Sequence, residues 1–251
     1  HVVELMEVHA PFVARKCEPG QFIILRVDED GERVPLTIAD YDREKETVTI
    51  IYQILGYSTT LLSQKKEGEY LADFVGPLGV PASLEKRENK VIGVAGGVGA
   101  APLYPQLRKL AENGTKVDVI IGGKSKEYVL WADKFREFCE NVYIATDDGS
   151  YGKNGFAINF LKEDIENGKI DSIFACGPMP MLKALAAYAE EHGMEAQISL
   201  EERMACGIGA CLGCICKSKT KDHHTNVNNT RICKDGPVFR MDEIDQLPDE
   251  Y

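Results

Sequence analysis

Short runs of alternating apolar and polar residues fill the first 80 positions of the chain. Residues 2–8, 21–27 and 47–53 are rich in β-branched and aromatic residues, which favours strands. Evenly spaced strands without long helical periodicity predict a small antiparallel β-barrel. A short helix is expected at its edge over residues 61–66, and the clustered glycines and prolines of residues 76–81 predict a chain reversal that ends this unit.

From residue 90 the pattern changes to alternating strands and helices. Four short apolar runs are each followed by a segment with the spacing of an amphipathic helix. The runs are Val91–Ala95, Val117–Ile121, Val142–Ala145 and Ser172–Ala175, and the helical segments are Ala101–Glu112, Trp131–Phe138, Gly155–Asn167 and Pro180–His192. Repeated βα units predict an α/β unit with a parallel sheet that is covered by helices on both faces.

Length and composition allow a large buried core that is divided into several units. With 251 residues, 44% of them hydrophobic, the chain is expected to form three: residues 1–84, 85–199 and 200–251. The net charge of −11 argues against nucleic acid or an anionic membrane surface as a partner. No apolar run approaches the roughly 20 residues that cross a bilayer, so no membrane span is expected. Because the chain begins at His1 without an initiator methionine, a short preceding segment is expected.

Four of the eight cysteines form the most specific motif of the chain. Cys206, Cys211 and Cys214 have C-x4-C-x2-C spacing, and Cys233 follows at a distance, which is the plant-type ferredoxin arrangement for a two-iron cluster. Intervening glycines let the backbone curl so that thiolates and N–H groups point at one inorganic core. A disulfide knot or a zinc site is the alternative, although zinc sites usually present two short Cys or His pairs. This use of cysteine indicates a reducing compartment, and hence the cytoplasm.

A glycine-rich turn follows the first strand of the α/β unit. Gly96, Gly97 and Gly99 let the chain turn sharply and bring backbone N–H groups near a pyrophosphate at a helix N-terminus. Pro102 stands where the dinucleotide fingerprint has a third small residue, but proline suits a first helical turn. A tight strand-to-helix turn without a ligand is the alternative interpretation.

A second candidate turn follows the last of the four strands. Cys176, Gly177 and Pro178 lie at the same carboxyl edge as Gly97, where open α/β sheets bind ligands. Gly177 permits close approach of the backbone, and Cys176 offers a small polarisable surface for a planar ring. The alternative is an ordinary helix that begins with proline.

The order of the barrel, the glycine-rich turn and the Cys176 turn resembles the ferredoxin–NADP reductase superfamily. Residues 202–214 and 233–239 are similar to the electron-transfer subunit of type B dihydroorotate dehydrogenase, an enzyme of pyrimidine biosynthesis. Residues 32–40 and 73–79 are closer to the small subunit of NADH-dependent reduced-ferredoxin:NADP transhydrogenase. The resemblance implies FAD in the barrel, NAD(P)H in the α/β unit and a [2Fe–2S] cluster in a small C-terminal iron–sulfur domain, bound by the four cysteines.

The resemblance also assigns the residues that contact the flavin. It implies that one set lines the isoalloxazine ring, with Thr37 able to hydrogen-bond its polar edge: Val34, Pro35, Leu36 and Thr37. A second set would follow the ribityl chain and the pyrophosphate: Ile51, Tyr52, Gln53, Ser58 and Thr59. Ordinary packing within the barrel is the alternative for each, since such residues are common in strands.

These features predict an electron-transfer subunit that passes electrons between NAD(P)H and a partner subunit through FAD and the cluster. No side chain is expected to be catalytic, because hydride moves between cofactors. A catalytic flavoprotein or iron–sulfur partner would complete a heteromer, since no pocket for an organic substrate is evident. Lys124 and Lys126 could neutralise a 2′-phosphate and so favour NADPH. Because lysines on a loop are usually just solvated, the choice between NADH and NADPH stays open. A stand-alone NAD(P)H–ferredoxin-type reductase and a cluster-based redox-sensing module are the alternatives.

Overall fold

The computed structural model describes residues 3–165, 170–222 and 226–248, and these residues form three sheets. The first is antiparallel and contains β1 (Val3–His9), β2 (Phe22–Arg26), β3 (Val34–Asp42), β4 (Thr47–Gln53) and β5 (Asp73–Leu78), with short helices α1 (Pro11–Ala14) and α2 (Tyr57–Ser63). Its strand order is β1-β4-β3-β2-β5. Among the described residues no ladder joins β5 to β1, so the expected barrel is seen as an open antiparallel sheet.

Helix α2 begins earlier than the helix expected over residues 61–66. The Thr59 hydroxyl accepts hydrogen bonds from the backbone N–H groups of Leu55 and Gly56, at 3.0 and 3.1 Å. These bonds satisfy donors just before the helix and fix its start at Tyr57.

Strand β5 extends into the segment that was expected to reverse the chain. Leu78 lies opposite Phe22 of β2. Gly76 makes this pairing possible, because a Cβ at that position would lie 2.6 Å from Cγ2 of Ile23. The reversal comes at Gly79, whose φ of +75° favours glycine.

A seven-stranded sheet forms the nucleotide-binding type of α/β unit that the sequence predicts. Its strands are β6 (Lys90–Gly96), β7 (Lys116–Gly123), β8 (Asn141–Thr146), β9 (Lys153–Asn154), β10 (Ile170–Cys176), β11 (Glu195–Ser199) and β14 (Val238–Arg240), and its helices are α3 (Ala100–Glu112), α4 (Ala132–Arg136), α5 (Ala157–Ile165) and α6 (Met179–Glu191). The strand order is β14-β11-β10-β6-β7-β8-β9, with every pair parallel except β11 with β14.

The four predicted strands and four predicted helices of this unit all form. Two buried groups of side chains cover the two faces of the sheet, one with Leu103 of α3 and Phe135 of α4, the other with Leu161 of α5 and Leu182 of α6. The last two positions of the helix expected over residues 155–167 lie outside the described residues. In the part of the chain that the structure covers, no helix is both long and apolar enough to cross a membrane.

The C-terminal segment is joined to the large sheet. Strands β12 (Ile215–Ser218), β13 (Asn229–Arg231) and β15 (Ile244–Gln246) form the third sheet, and the short helix α7 (Ile232–Asp235) contains Cys233. Strand β14 leaves this region and pairs with β11, which places Phe239 opposite Ile198. The cysteine-containing segment and the α/β unit therefore share one hydrophobic core.

An ion pair connects the antiparallel sheet to the α/β unit. Asp40 of β3 accepts a bond from Arg108 of α3 at 2.8 Å, and Nζ of Lys134 lies 3.9 Å from its other oxygen. The side chain of Arg108 is 28% exposed and that of Asp40 is 18% exposed, so solvent screens their interaction only in part. Ala39, Ile51 and Ala101 pack together beside them.

Arg108→Ala is expected to lower the free energy of unfolding by about 1.5–3 kcal/mol, because it leaves a half-buried carboxylate without its main partner. Urea denaturation followed by circular dichroism measures this loss. Arg136→Ala is the matched control, since Arg136 pairs with the almost fully exposed Asp133 and should change stability by less than about 0.5 kcal/mol. Equal losses in the two variants would contradict the role given to Arg108.

Candidate functional site

A cavity of about 550 Å³ lies where the three segments of the chain meet. It is lined by all nine residues that were expected at the flavin: Val34, Pro35, Leu36, Thr37, Ile51, Tyr52, Gln53, Ser58 and Thr59. Val98 of the glycine-rich turn and Pro102 in the first turn of α3 form one side of the cavity. Leu200, Met204 and Pro237 form another side. The wall combines apolar surface with a few hydroxyl and amide groups, which suits a large planar ligand with polar edges.

The polar groups of this cavity differ in how far they are already engaged. The Ser58 hydroxyl donates to a carboxylate oxygen of Glu32 at 2.7 Å. The Thr59 hydroxyl is used at the start of α2, as described above, so its role is to shape the cavity wall. The phenol of Tyr52 donates to Glu4 at 3.0 Å, and burial beside this carboxylate raises its pKa above the usual range. Tyr52 therefore contributes a fixed, neutral ring to the cavity wall.

The two candidate turns of the α/β unit touch each other at the carboxyl edge of the sheet. A Cβ on Gly99 would lie 2.2 Å from the carbonyl oxygen of Cys176, and a Cβ on Gly96 would lie 2.6 Å from Cδ of Pro178. A Cβ on Gly177 would lie 2.9 Å from Cα of Gly96. Only residues without a side chain allow this approach, and the two turns form one continuous surface.

Gly97 is the open point of that surface. Its φ is +56°, and no atom lies within 4 Å of the position that a Cβ would occupy. The space above it suits close approach of a ligand to the backbone, as the pyrophosphate of a dinucleotide requires.

The Cys176 side chain lies on the inner side of this edge. Cys176 is only 1% exposed, and burial raises the pKa of its thiol far above the usual range. Gly177 is half-buried and Pro178 is exposed. A planar ring at this edge would therefore meet the backbone at Gly177 before the Cys176 sulfur.

Glu201 is a further polar residue of the cavity that the sequence did not single out. It borders the cavity and is close enough to Cys176 to act on the thiol electrostatically. Part of Glu201 is exposed to solvent in the open cavity. Protein atoms nevertheless surround its carboxyl group and displace water from it, and this desolvation raises the pKa of the carboxyl. The sequence offers one signal for Glu201, a pair of Glu residues at 201 and 202. The pair stands shortly before residues 206–214, which contain three of the four clustered cysteines and are called the cysteine loop below.

Backbone N–H groups point at the sulfur atoms of the cysteine loop. Sγ of Cys206 accepts from the N–H groups of Ile208, Ala210 and Cys211 at 3.5, 3.3 and 3.4 Å. These bonds lower the pKa of the Cys206 thiol to about 6. Sγ of Cys233 accepts from Gly209 at 3.1 Å. Donors in these positions stabilise thiolates, which is the form that binds iron.

Hydrogen bonds link the four cysteines two by two. The N–H of Cys211 donates to Sγ of Cys206, and the N–H of Cys233 donates to Sγ of Cys214, both at 3.4 Å. Cys206 has Cys211 as its hydrogen-bonding neighbour, and burial together with the neighbouring Cys214 raises the pKa of Cys233 to about 12. Within the described residues, no three His, Cys, Asp or Glu side chains meet the geometry for a single shared ion. All eight cysteines are free, so no disulfide occupies the loop.

Packing connects the cysteine loop to the cavity described above. A Cβ on Gly207 would lie 2.0 Å from Cδ1 of Ile24, so the loop rests directly on strand β2. Phe22 of the same strand lines the cavity, and it belongs to the same buried group as Cys214 and Cys233. The cysteine loop and the cavity are therefore connected by packed side chains of strand β2.

Two protein-family models match the α/β unit and the cysteine loop. The oxidoreductase NAD-binding domain matches residues 94–187, and the iron–sulfur cluster binding domain of dihydroorotate dehydrogenase B matches residues 201–245. The ferredoxin reductase in carbazole 1,9a-dioxygenase shares the fold, with a TM-score of 0.58 and 17% identity over 76% of this chain and 67% of that one. The fold and these matches define an oxidoreductase subunit with a ferredoxin reductase-like fold.

Closer relatives identify the family. The dihydroorotate dehydrogenase B (NAD(+)) electron transfer subunit of Fusobacterium nucleatum subsp. nucleatum is 40% identical over 248 residues, or 96% of this chain and 92% of the relative. The subunit of that name from Shouchella clausii is 42% identical over 92% of this chain and 88% of its own. A structure of NADH-dependent reduced ferredoxin-NADP oxidoreductase superposes with a TM-score of 0.88 and 34% identity, covering 97% of this chain and 85% of that one. The chain belongs to the family of dihydroorotate dehydrogenase B electron transfer subunits, as its motifs predicted.

Proposed function

We propose that this chain passes electrons between NADH and a partner subunit by way of bound FAD and a [2Fe–2S] cluster. The observation that supports it is the continuity of three sites. Val98 and Pro102 join the nucleotide edge to the flavin cavity, and Met204 and Pro237 join that cavity to the cysteine loop. When bound, FAD accepts an electron pair from a nicotinamide and releases electrons singly, which the cluster requires.

The protein groups orient and enclose these cofactors. The backbone around Gly97 would receive the dinucleotide, while the contact between Gly99 and Cys176 fixes the edge on which the nicotinamide lies. Thr37 would hydrogen-bond the polar edge of the flavin from the floor of the cavity. The four cysteines would hold the irons, and the surrounding N–H groups would stabilise negative charge on sulfur.

NADH is the proposed nucleotide. The two dihydroorotate dehydrogenase B relatives above are named for NAD(+), and the solved structure is named for both NADH and NADP. In the loop after β7, the Ser125 hydroxyl donates to Glu127, which lowers the pKa of that carboxyl. Nζ of Lys126 lies over the Tyr151 ring, 5.7 Å from its centroid. A 2′-phosphate at this loop would meet an ionised carboxylate, whereas a ribose hydroxyl could donate to it.

A catalytic flavoprotein or iron–sulfur subunit is the proposed partner, and the exposed side of the cysteine loop is its proposed contact. Cys211 is exposed, and the apolar side chains around it are 59% (Ile208), 48% (Leu212) and 44% (Ile215) exposed. Exposed apolar residues around an electron-carrying site suit a protein interface that brings two redox groups close together.

The cytoplasm is the proposed location. All eight cysteines are free, and four of them would be cluster ligands that require reduced thiols. Fractionation of the native cells, followed by immunodetection, tests this.

Anaerobic titration with NADH tests the proposed function. Protein that contains FAD and the cluster should show loss of the flavin absorbance first and an electron paramagnetic resonance (EPR) signal of a reduced [2Fe–2S] cluster next. NADPH should act at least about tenfold less efficiently, the equivalent of 1.4 kcal/mol of discrimination. A flavin that NADH does not reduce, or metal analysis that finds zinc in place of iron, would reject the proposal. A lone monomer that rapidly reduces soluble acceptors would indicate a stand-alone reductase.

Thr37→Val is expected to weaken FAD binding about five- to tenfold, because one hydrogen bond of about 1 kcal/mol is lost with little change in shape. Flavin fluorescence during dilution measures the dissociation constant. Thr49→Val is the matched control, since Thr49 belongs to the neighbouring strand β4 but does not line the cavity. Unchanged affinity in Thr37→Val would remove Thr37 from the flavin site.

A further inference from the structure

Arg231 is a largely buried cation beside the cysteine loop that the proposed function has not used. It ends strand β13, two residues before Cys233, and its side chain is 12% exposed. Nε of Arg231 donates to Oδ2 of Asp235 at 3.1 Å, and a carboxylate oxygen of Asp222 lies 3.9 Å from its guanidinium group. Two acidic groups from different segments therefore hold the planar guanidinium in place.

The same guanidinium reaches the backbone of the cysteine loop. Its NH1 group donates to the carbonyl oxygen of Gly209 at 3.5 Å. That carbonyl shares a peptide plane with the N–H of Ala210, which donates to Sγ of Cys206 at 3.3 Å. In a trans peptide the carbonyl and the N–H point in opposite directions. Arg231 thus holds one end of the peptide whose other end faces a cluster sulfur.

Steric contacts leave this peptide few other orientations. Gly209 has a φ of +80°, and a Cβ there would lie 2.7 Å from Cδ of Lys234. The aliphatic part of Lys234 therefore lies against Gly209, while Arg231 binds its oxygen. Both side chains belong to the segment around Cys233, so this segment supplies a ligand and also fixes the loop that contains Cys206.

We propose that Arg231 is a positioning residue that raises the reduction potential of the cluster by holding the Gly209–Ala210 peptide toward Cys206. This inference rests on the proposed function. An N–H group that donates to sulfur and a nearby cation both stabilise added negative charge, so both favour the reduced cluster. Without the guanidinium, the peptide loses its anchor and the cluster loses that charge, and reduction becomes less favourable.

EPR-monitored redox titration of the iron-loaded protein tests the role of Arg231. In Arg231→Gln the equilibrium should shift at least tenfold toward the oxidised cluster, which is a midpoint potential lower by 59 mV for one electron. The g-values of the reduced cluster should also change, because the N–H bond to Cys206 is altered. Iron content is measured on the same samples.

Arg231→Lys keeps the charge but lacks the fork that can bind Asp235 and the Gly209 oxygen together, so its potential should also fall, by a smaller amount. Arg240→Gln is the matched control, because Arg240, the last residue of strand β14, pairs with Asp242. Its potential should equal that of the wild type. Arg231→Lys with full iron content and the wild-type potential would overturn the inference, even if Arg231→Gln fails to load iron. A wild-type protein without a [2Fe–2S] signal would instead reject the proposed function.

Discussion

Replacing Cys211 by alanine is expected to abolish electron transfer beyond the flavin while NADH still reduces the flavin. Cys211 is the exposed member of the four proposed ligands, so its loss removes a thiolate without opening a cavity in the core. The flavin cavity does not include it. NADH-dependent bleaching of the flavin should remain within about twofold of the wild type, and reduction of a one-electron acceptor should fall by about 100-fold or more.

Cys139→Ala is the control for Cys211→Ala. Cys139 is a half-buried free cysteine whose pKa is raised to about 12 by burial, and it lies far along the chain from the cysteine loop. This variant should keep both the bleaching and the onward transfer. Onward transfer that survives in Cys211→Ala after iron analysis shows that the cluster is lost would mean that electrons leave the flavin by another route.

Gly99→Ala is expected to slow flavin reduction by NADH about 100-fold and to destabilise the protein by about 1–3 kcal/mol. The added Cβ would lie 2.2 Å from the Cys176 carbonyl oxygen, so the turns after β6 and β10 must separate. A displacement of about 1 Å in a reacting group can cost 100-fold in rate. Stopped-flow absorbance measures the rate, and thermal unfolding measures the loss of stability.

Gly122→Ala controls for the substitution itself. Gly122 lies near the same edge of the sheet, on β7, but a Cβ there would have its nearest neighbour, Cβ of Ala157, at 3.4 Å. This variant should retain the wild-type rate. If Gly99→Ala and Gly122→Ala reduce the flavin equally fast, the contact between the two turns does not position the nicotinamide.

The elements that the sequence predicted best are those with a periodic apolar pattern. The strands over Val91–Ala95 and Val117–Ile121 and the helix over Ala101–Glu112 form as predicted, because the strands bury apolar residues on both faces of the sheet and the helix buries one apolar face against it. Spacing alone singles out Cys206 and its three partners as proposed ligands, since a loop that wraps one cluster needs its ligands at short, fixed intervals.

The elements that were missed depend on contacts distant in sequence. Strand β11 has only two apolar residues, Ala196 and Ile198, which is too short a pattern to indicate a strand, and its Gln197 is buried only because neighbouring strands cover it. Strand β5 runs through Gly76, a residue that predicts a turn unless the packing of Ile23 is known. The Glu201–Glu202 pair alone does not indicate the role of Glu201, because its place on the cavity wall results from how three segments meet.

The pairing of β14 with β11 has a consequence for how the iron–sulfur tail can be exchanged between relatives. Because Phe239 lies opposite Ile198, the tail supplies the outermost strand of the sheet on which the nucleotide edge is built. A chimera spliced just before the cysteine loop would bring a foreign border strand and expose the hydrogen-bonding edge of its neighbour wherever the two fail to match. The nucleotide-binding sheet and the iron–sulfur tail would therefore have to be exchanged together.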